Sequence, residues 1–491
     1  MSKKVLLSLS FLLVVFVTGF AQQKAGYELT FKINGIKDSY VKLAFYLGDK
    51  QYLQDSAKTD ATGKVVFKGD EALEPGIYLL AFPKNKVVEF LVDSANQYFS
   101  LETDTVSPVK GMKVKNSFEN KLFYEYLQFI DGKQAEVKPL KEKFDKFNKE
   151  KNKDSADVYR KKLGDIDQAV KDYKNRIMAT NPKSFVAAIF SASWEPDIPE
   201  PPRNAQGVIT DSNYVARTYK AHYFDKYNFA DKRLIRTPIL QSKIRYYFDK
   251  LTIPIPDSIN ASAKYICDKA CANKDVFKFC VNYITNYYET SKTMGFDAVF
   301  VFMAKEYYLP GGTTCKAFWV DSTQLGKIKE RYELLRYILI GKPALELNLP
   351  DTTGKELRLS ATKANYTILY FWDPDCGHCQ KETPKLIEFY KRAKSFGVEV
   401  YAVCSNDNKP AWKKYARENN LSWINVMDEL GYRKFYDIYS TPVIYLLDKN
   451  KIIRAKRLDT PQLEDFMRKQ YKMNFPPSTL PPTKDDDGHG H

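Results

Sequence analysis

Histidine and cysteine are both scarce in this chain of 491 residues, with four histidines (His222, His378, His489 and His491) and seven cysteines. So few histidines argue against a multi-histidine catalytic metal site. Seven cysteines cannot staple a chain of this length, so a disulfide-built scaffold is excluded. No GxxxxGK[ST] phosphate loop and no zinc-finger spacing occurs. What the chain has in quantity is ordinary core-forming material: 44% hydrophobic and 28% charged residues, with a moderate net charge of +16. That composition excludes wholesale disorder and a polytopic membrane protein. At roughly 100–200 residues per domain, the length predicts two to four domains.

The N-terminus carries Lys3 and Lys4, an uncharged run from Val5 to Val17, and Gly19-Phe20-Ala21. This is the pattern of a cleavable signal peptide over residues 1–21. The run is short for a permanent span of about 20 residues, and no cysteine follows it to take a lipid. The mature chain is expected to be exported, where disulfides persist and nucleic acid is not a partner. The lysine-rich stretch Lys133–Arg176 reads as a solvated helix face. Contact with anionic lipid or an acidic partner is the sharper alternative.

Three patterns follow one another along the chain. Residues 27–104 alternate apolar and polar in short runs separated by turns such as Asn34-Gly35 and Thr62-Gly63, which predicts an antiparallel β-sandwich over 22–110. From 111 to 340 the period lengthens. Leu163, Ile166, Val170, Tyr173 and Ile177 mark an amphipathic helix, and a proline-rich break at Pro196–Pro202 interrupts an all-α region rich in core aromatics. Cys267, Cys271, Cys280 and Cys315 lie in that region, the first two sharing a helix face. Buried thiols are the expected account, with a structural disulfide among them as the alternative. Residues 341–475 alternate strands and helices: a hairpin at 345–359, strands at 366–372, 398–404, 443–447 and 452–456, and helices at 376–395, 410–419 and 461–471. A mixed α/β sheet is implied. Pro476–His491 reads as a disordered tail.

One motif carries chemistry. Trp372-Asp373-Pro374-Asp375-Cys376-Gly377-His378-Cys379 follows a buried strand and opens a helix, the context of a redox dithiol. At the helix start, unpaired N–H groups and the positive dipole end would stabilise a Cys376 thiolate. Cys379, three residues on, would resolve the mixed disulfide. A protonated His378 would favour the thiolate further, and a solvated loop residue is its plainer alternative. Half of a zinc site fails for want of a second ligand pair, so no metal is expected.

These residues resemble the thioredoxin superfamily. Phe371-Trp372, Pro384 and Ser440-Thr441-Pro442 fall at family positions, and the extra hairpin with Cys376-x-x-Cys379-x-x-Glu382-x-Pro384 resembles the TlpA/ResA branch. The resemblance implies a thioredoxin fold for 341–475, no cofactor, and a cis Pro442. Thr441 and Pro442 would pair with an extended substrate, flanked by Trp372 and His378, while Glu382 would move protons to and from the cysteines. A surface glutamate is the plainer alternative. Tyr370 stands where cytosolic thioredoxins carry a buried aspartate. A peroxiredoxin would need threonine at the position of Asp373, so that reading is discounted. The expected function is periplasmic exchange with disulfides of exported proteins, in the reducing direction, fed by a membrane or periplasmic electron donor. The Gly377-His378 pair, which resembles disulfide isomerases, keeps oxidation or isomerisation open. A cell-envelope binding protein with a passive thioredoxin-like module is the rival from another class.

Overall fold

A computed structural model describes residues 26–480, so the signal peptide expected at 1–21 and most of the expected tail lie outside the described residues. The chain divides into two compact units, one holding residues up to Ser193 with Arg236–Ile239, the other Trp194–Ile235 and Leu240 onward.

The first unit opens with β1 (Tyr27–Asn34), β2 (Tyr40–Leu47), β3 (Lys50–Lys58), β4 (Lys64–Gly69), β5 (Gly76–Phe82), β6 (Lys86–Val92), β7 (Tyr98–Asp104) and β8 (Lys113–Lys115). They form two four-stranded sheets, ordered β4-β1-β7-β8 and β3-β2-β5-β6. In β1, β4 and β7 alternate side chains point inward, and Phe31 of β1 meets Phe90 of β6 across the sandwich at 5.1 Å between ring centroids. The expectation of a purely antiparallel sandwich is corrected at one place: β1 and β7 pair in parallel from Glu28↔Tyr98 to Asn34↔Asp104. A parallel pair needs a long crossover, and the intervening strands, which visit the other sheet, supply it. Next come α1 (Phe118–Lys149), α2 (Lys153–Thr180) and α3 (Phe185–Ala192). Ser117 caps α1, and the buried Asn120 one turn later bonds both the N–H and the carbonyl of Leu91, tying the helix to β6. The stripe anticipated on α2 is present, with Ile166 and Ile177 buried and Leu163, Val170 and Tyr173 part-buried.

The second unit adds α4 (Tyr214–His222), α5 (Ile239–Leu251, whose first residue belongs to the first unit), α6 (Pro256–Ala270), α7 (Lys274–Glu289), α8 (Asp297–Met303) and α9 (Ser322–Leu335). Cys267 and Cys280 are fully buried thiols, as expected. Cys271 and Cys315 are not thiols but a disulfide. Cys271 is the C-cap residue of α6, and there its sulfur reaches Cys315 in the segment before α9.

The remaining elements are β9 (Asn348–Pro350), β10 (Glu356–Arg358), β11 (Tyr366–Trp372), α10 (Gly377–Ala393), β12 (Val398–Cys404), α11 (Lys409–Glu418), β13 (Ile424–Met427), β14 (Val443–Asp448), β15 (Ile453–Lys456) and α12 (Thr460–Tyr471). They include a five-stranded sheet ordered β13-β12-β11-β14-β15. Strands β12 and β13 run parallel to β11, while β14 and β15 form an antiparallel hairpin on its other side. The hairpin strand placed at 345–347 pairs instead at 348–350, and β13 was not anticipated. One sheet face packs on α10 and α12 through Leu386, Phe389, Leu463 and Met467. The opposite face is covered in part by Phe300 and Ala304 and by Leu335 and Ile338 from the end of α9 and the turn after it. Two ion pairs join the same pieces, Lys456 with Asp297 of α8 and Asp437 with Arg331 of α9, and the buried Asp437 also pairs with Arg457. Pro476–Leu480, read as part of the tail, runs along α10, where Thr479 N–H donates to Glu388 at 3.0 Å.

Candidate active site

Strand β11 is buried along nearly its whole length and ends at Trp372, from which the chain turns into α10. Asn406 holds that turn by donating to the carboxylates of Asp373 at 2.8 Å and Asp375 at 3.1 Å. Ser405 N–H donates to Trp372 O at 2.8 Å, fixing the turn to the end of β12. Cys376 is the N-cap residue of α10, with extended backbone and a half-exposed side chain. Its thiol donates to the carbonyl of Thr441 at 3.4 Å, and the Thr441–Pro442 peptide bond is cis. Cys379 is 1% exposed, and its Sγ accepts from Asp373 N–H at 3.4 Å.

The two thiols differ sharply. Burial works against ionisation of Cys376, but hydrogen bonds from Cys379, the Thr441 side chain and the His378 backbone outweigh it and hold the thiol below its ordinary value. Burial pushes the Cys379 thiol up to about 12. His378 itself is exposed, and its backbone N–H is the group that bears on Cys376. Cys404, at the end of β12, is buried, and burial likewise raises its thiol to about 12.

The other expected site residues divide. Glu382, one turn into α10, is buried rather than on the surface, and its carboxylate accepts from Thr460 N–H at 2.6 Å at the start of α12. It lines a cavity of about 490 Å³ together with Pro442, Ser440, Asp437 and Arg457. Trp372, expected to face substrate, is 1% exposed. Its ring packs on Tyr415 at 5.2 Å and so supports the dithiol turn from below. Tyr370 is fully buried, with its hydroxyl 2.9 Å from that of Thr383. Asn406 and Asp437 escaped sequence reasoning. Asp437 sits at φ 57°, but Tyr436-Asp437-Ile438 carries no turn signature that would single it out.

A half-exposed, ionisable cysteine at a helix N-terminus, backed by a buried second cysteine and faced by a cis-proline loop, defines a dithiol protein of the thioredoxin class. The comparisons agree. The AhpC/TSA family model matches residues 340–456, and two domains of unknown function, DUF5106 and DUF4369, match 141–338 and 27–123. Thiol-disulfide oxidoreductase ResA of Bacillus thuringiensis subsp. konkukian (strain 97-27) is 31% identical over 134 residues, covering 26% of this chain and 78% of that protein. ResA of Geobacillus kaustophilus (strain HTA426) is 30% identical over 132 residues, covering 27% and 76%. Among solved structures, a domain of a possible thiol-disulfide isomerase from Cytophaga hutchinsonii ATCC 33406 is 44% identical, covering 27% of this chain and 94% of that one at a TM-score of 0.26. A thioredoxin-like protein from Bacteroides caccae ATCC 43185 is 21% identical, covering 56% and 97% at a TM-score of 0.45. The chain belongs to the ResA-like thiol–disulfide oxidoreductases through its C-terminal thioredoxin-like domain.

Proposed function

We propose that this oxidoreductase works in the periplasm and reduces disulfides of exported proteins. The contrast between a half-exposed Cys376 with a lowered pKa and a buried Cys379 near 12 supports that division of labour. The Cys376 thiolate attacks one sulfur of a substrate disulfide, and the other leaves as a thiolate that takes up a proton. Cys379 then gives up its proton and attacks Cys376 Sγ, releasing the second substrate thiolate. Two electrons pass to the substrate, and the pair is left as a disulfide for a membrane or periplasmic dithiol donor to reduce. Glu382 is the group we assign to carry the Cys379 proton, and Thr441 with Pro442 to align the substrate backbone.

Hydrogen bonds that stabilise the Cys376 thiolate also stabilise the reduced form and raise the potential, which favours oxidation or isomerisation as the second reading. The potential of the Cys376–Cys379 pair against glutathione separates the two. A value near about −270 mV fits a reductase, whereas about −120 to −180 mV would sink that direction.

A further inference from the structure

A second hollow, of about 570 Å³, lies between α9 and the segment 433–439. Tyr439 lines it and also lines the cavity beside Pro442 and Glu382, so the two adjoin at that ring. The walls are unequal in charge. Lys327 and Arg331 of α9 face Arg433 and Lys434, and Glu330 is the acid among the lining residues. Arg331 is held by Asp437 and by Glu289 at 3.7 Å, so it serves as structure. Lys327, Arg433 and Lys434 are exposed, and between them stand two bare aromatic rings, Phe435 at 56% and Tyr439 at 81% exposure. Exposed rings set among cations are the composition of a recognition surface. The wall is also preformed, because Leu335 and Ile338, at and just beyond the end of α9, are locked in the core beneath the sheet.

We propose that this groove binds the stretch of polypeptide next to the disulfide in the substrate, and that it selects an acidic stretch carrying an apolar or aromatic residue. The inference rests on the reading of Cys376 and Cys379 as a dithiol acting on protein disulfides, and it gives the helical region a part in choosing the substrate. A second copy of this chain is a poor occupant, since its net positive charge would set cations against cations.

The test uses the full chain and two peptides with one identical disulfide, flanked by Asp, Glu and Phe in one and by Lys and Phe in the other. Binding is read by fluorescence anisotropy, and kcat/KM with dithiothreitol as the reductant. The acidic peptide is expected to be favoured about tenfold at low salt, with the preference shrinking as salt screens it. Lys327→Glu with Lys434→Glu should bring the ratio below one. A ratio within twofold of unity, or one that salt leaves unmoved, overturns the proposal. The salt series on the unaltered protein decides the matter even if the charge reversal does not fold. Preferential binding without reduction of either peptide would instead sink the oxidoreductase reading and leave the groove standing.

Discussion

Cys376 and Cys379 share a helix turn yet sit in opposite environments, and that difference can be titrated. The lowered Cys376 pKa means that thiolate persists to lower pH than in an ordinary cysteine. In Cys379→Ser, alkylation of Cys376 by iodoacetamide should therefore rise with pH through a midpoint below the usual value of about 8.5. Thr441→Val should move that midpoint upward, because the threonine side chain helps to lower it. A midpoint at or above 8.5 in the parent would contradict the assignment of Cys376 as nucleophile. The bond that Glu382 makes to Thr460 and the proton transfer proposed for it are separable. Glu382→Gln keeps an oxygen for Thr460 N–H, so stability should hold within about 1 kcal/mol while turnover falls about a hundredfold. Glu382→Ala also leaves that helix-start N–H unmet and should cost about 1–2 kcal/mol in urea unfolding. Equal turnover in Glu382→Gln and parent would remove it from proton transfer. The dithiol turn was legible because Cys376 and Cys379 fall at fixed spacing where a buried strand meets a helix, whereas Glu382 and Pro442 were named from the family resemblance alone. Burial of Trp372 was not, since an aromatic beside a motif reads the same whether it faces solvent or core.

At the scale of elements, the disulfide between Cys271 and Cys315 closes a separation of 44 residues and pins the segment between α8 and α9 to the end of α6. Replacing both cysteines by serine should lower stability by about 2–4 kcal/mol, read as a drop in the urea midpoint. An unchanged midpoint would mean that the crosslink adds nothing to this unit. Helical spacing alone put Cys271 beside Cys267. Asn273, which caps α7 by accepting from the N–H groups of Asp275 and Val276, marks where α6 must end, but no spacing in the sequence pairs Cys271 with Cys315. Strand β13 was hidden for another reason. It has four residues, with Asn425 turned to bond the Trp423 indole at 3.0 Å, so neither period two nor an apolar run announces it. The longer buried strands β11 and β12 were read at their observed bounds because their seven residues are apolar but for Thr367 in one and Glu399 in the other.

Across the whole molecule, the thioredoxin-like sheet does not stop being built at the boundary expected from sequence, between 340 and 341. Phe300, Ala304, Leu335 and Ile338 cover one of its faces, and Lys456 and Asp437 find partners upstream of that point. A fragment of residues 341–475 would expose that face and strand those charges. It should be about 3–5 kcal/mol less stable than a fragment starting at 290, and should bind a hydrophobic dye that the longer one does not. Equal stability of the two fragments would show that the helices merely lie nearby. The modular order of β-sandwich, helices and α/β sheet was readable from changes of period. Sharing of a core between two such segments was not, because periodicity reports that a face is apolar and is silent on what covers it.

Lys456 reaches back 118 residues to the carbonyl of Ile338. A ribosome making roughly 5–20 residues per second leaves about 6–24 s between the emergence of those two groups. Until β11 and β12 emerge within that interval, the apolar residues of α8 and of the end of α9 have no sheet to lie against. The newborn chain therefore carries an apolar helical face before the strands that cover it have been made, and that face is what a holding chaperone would shield.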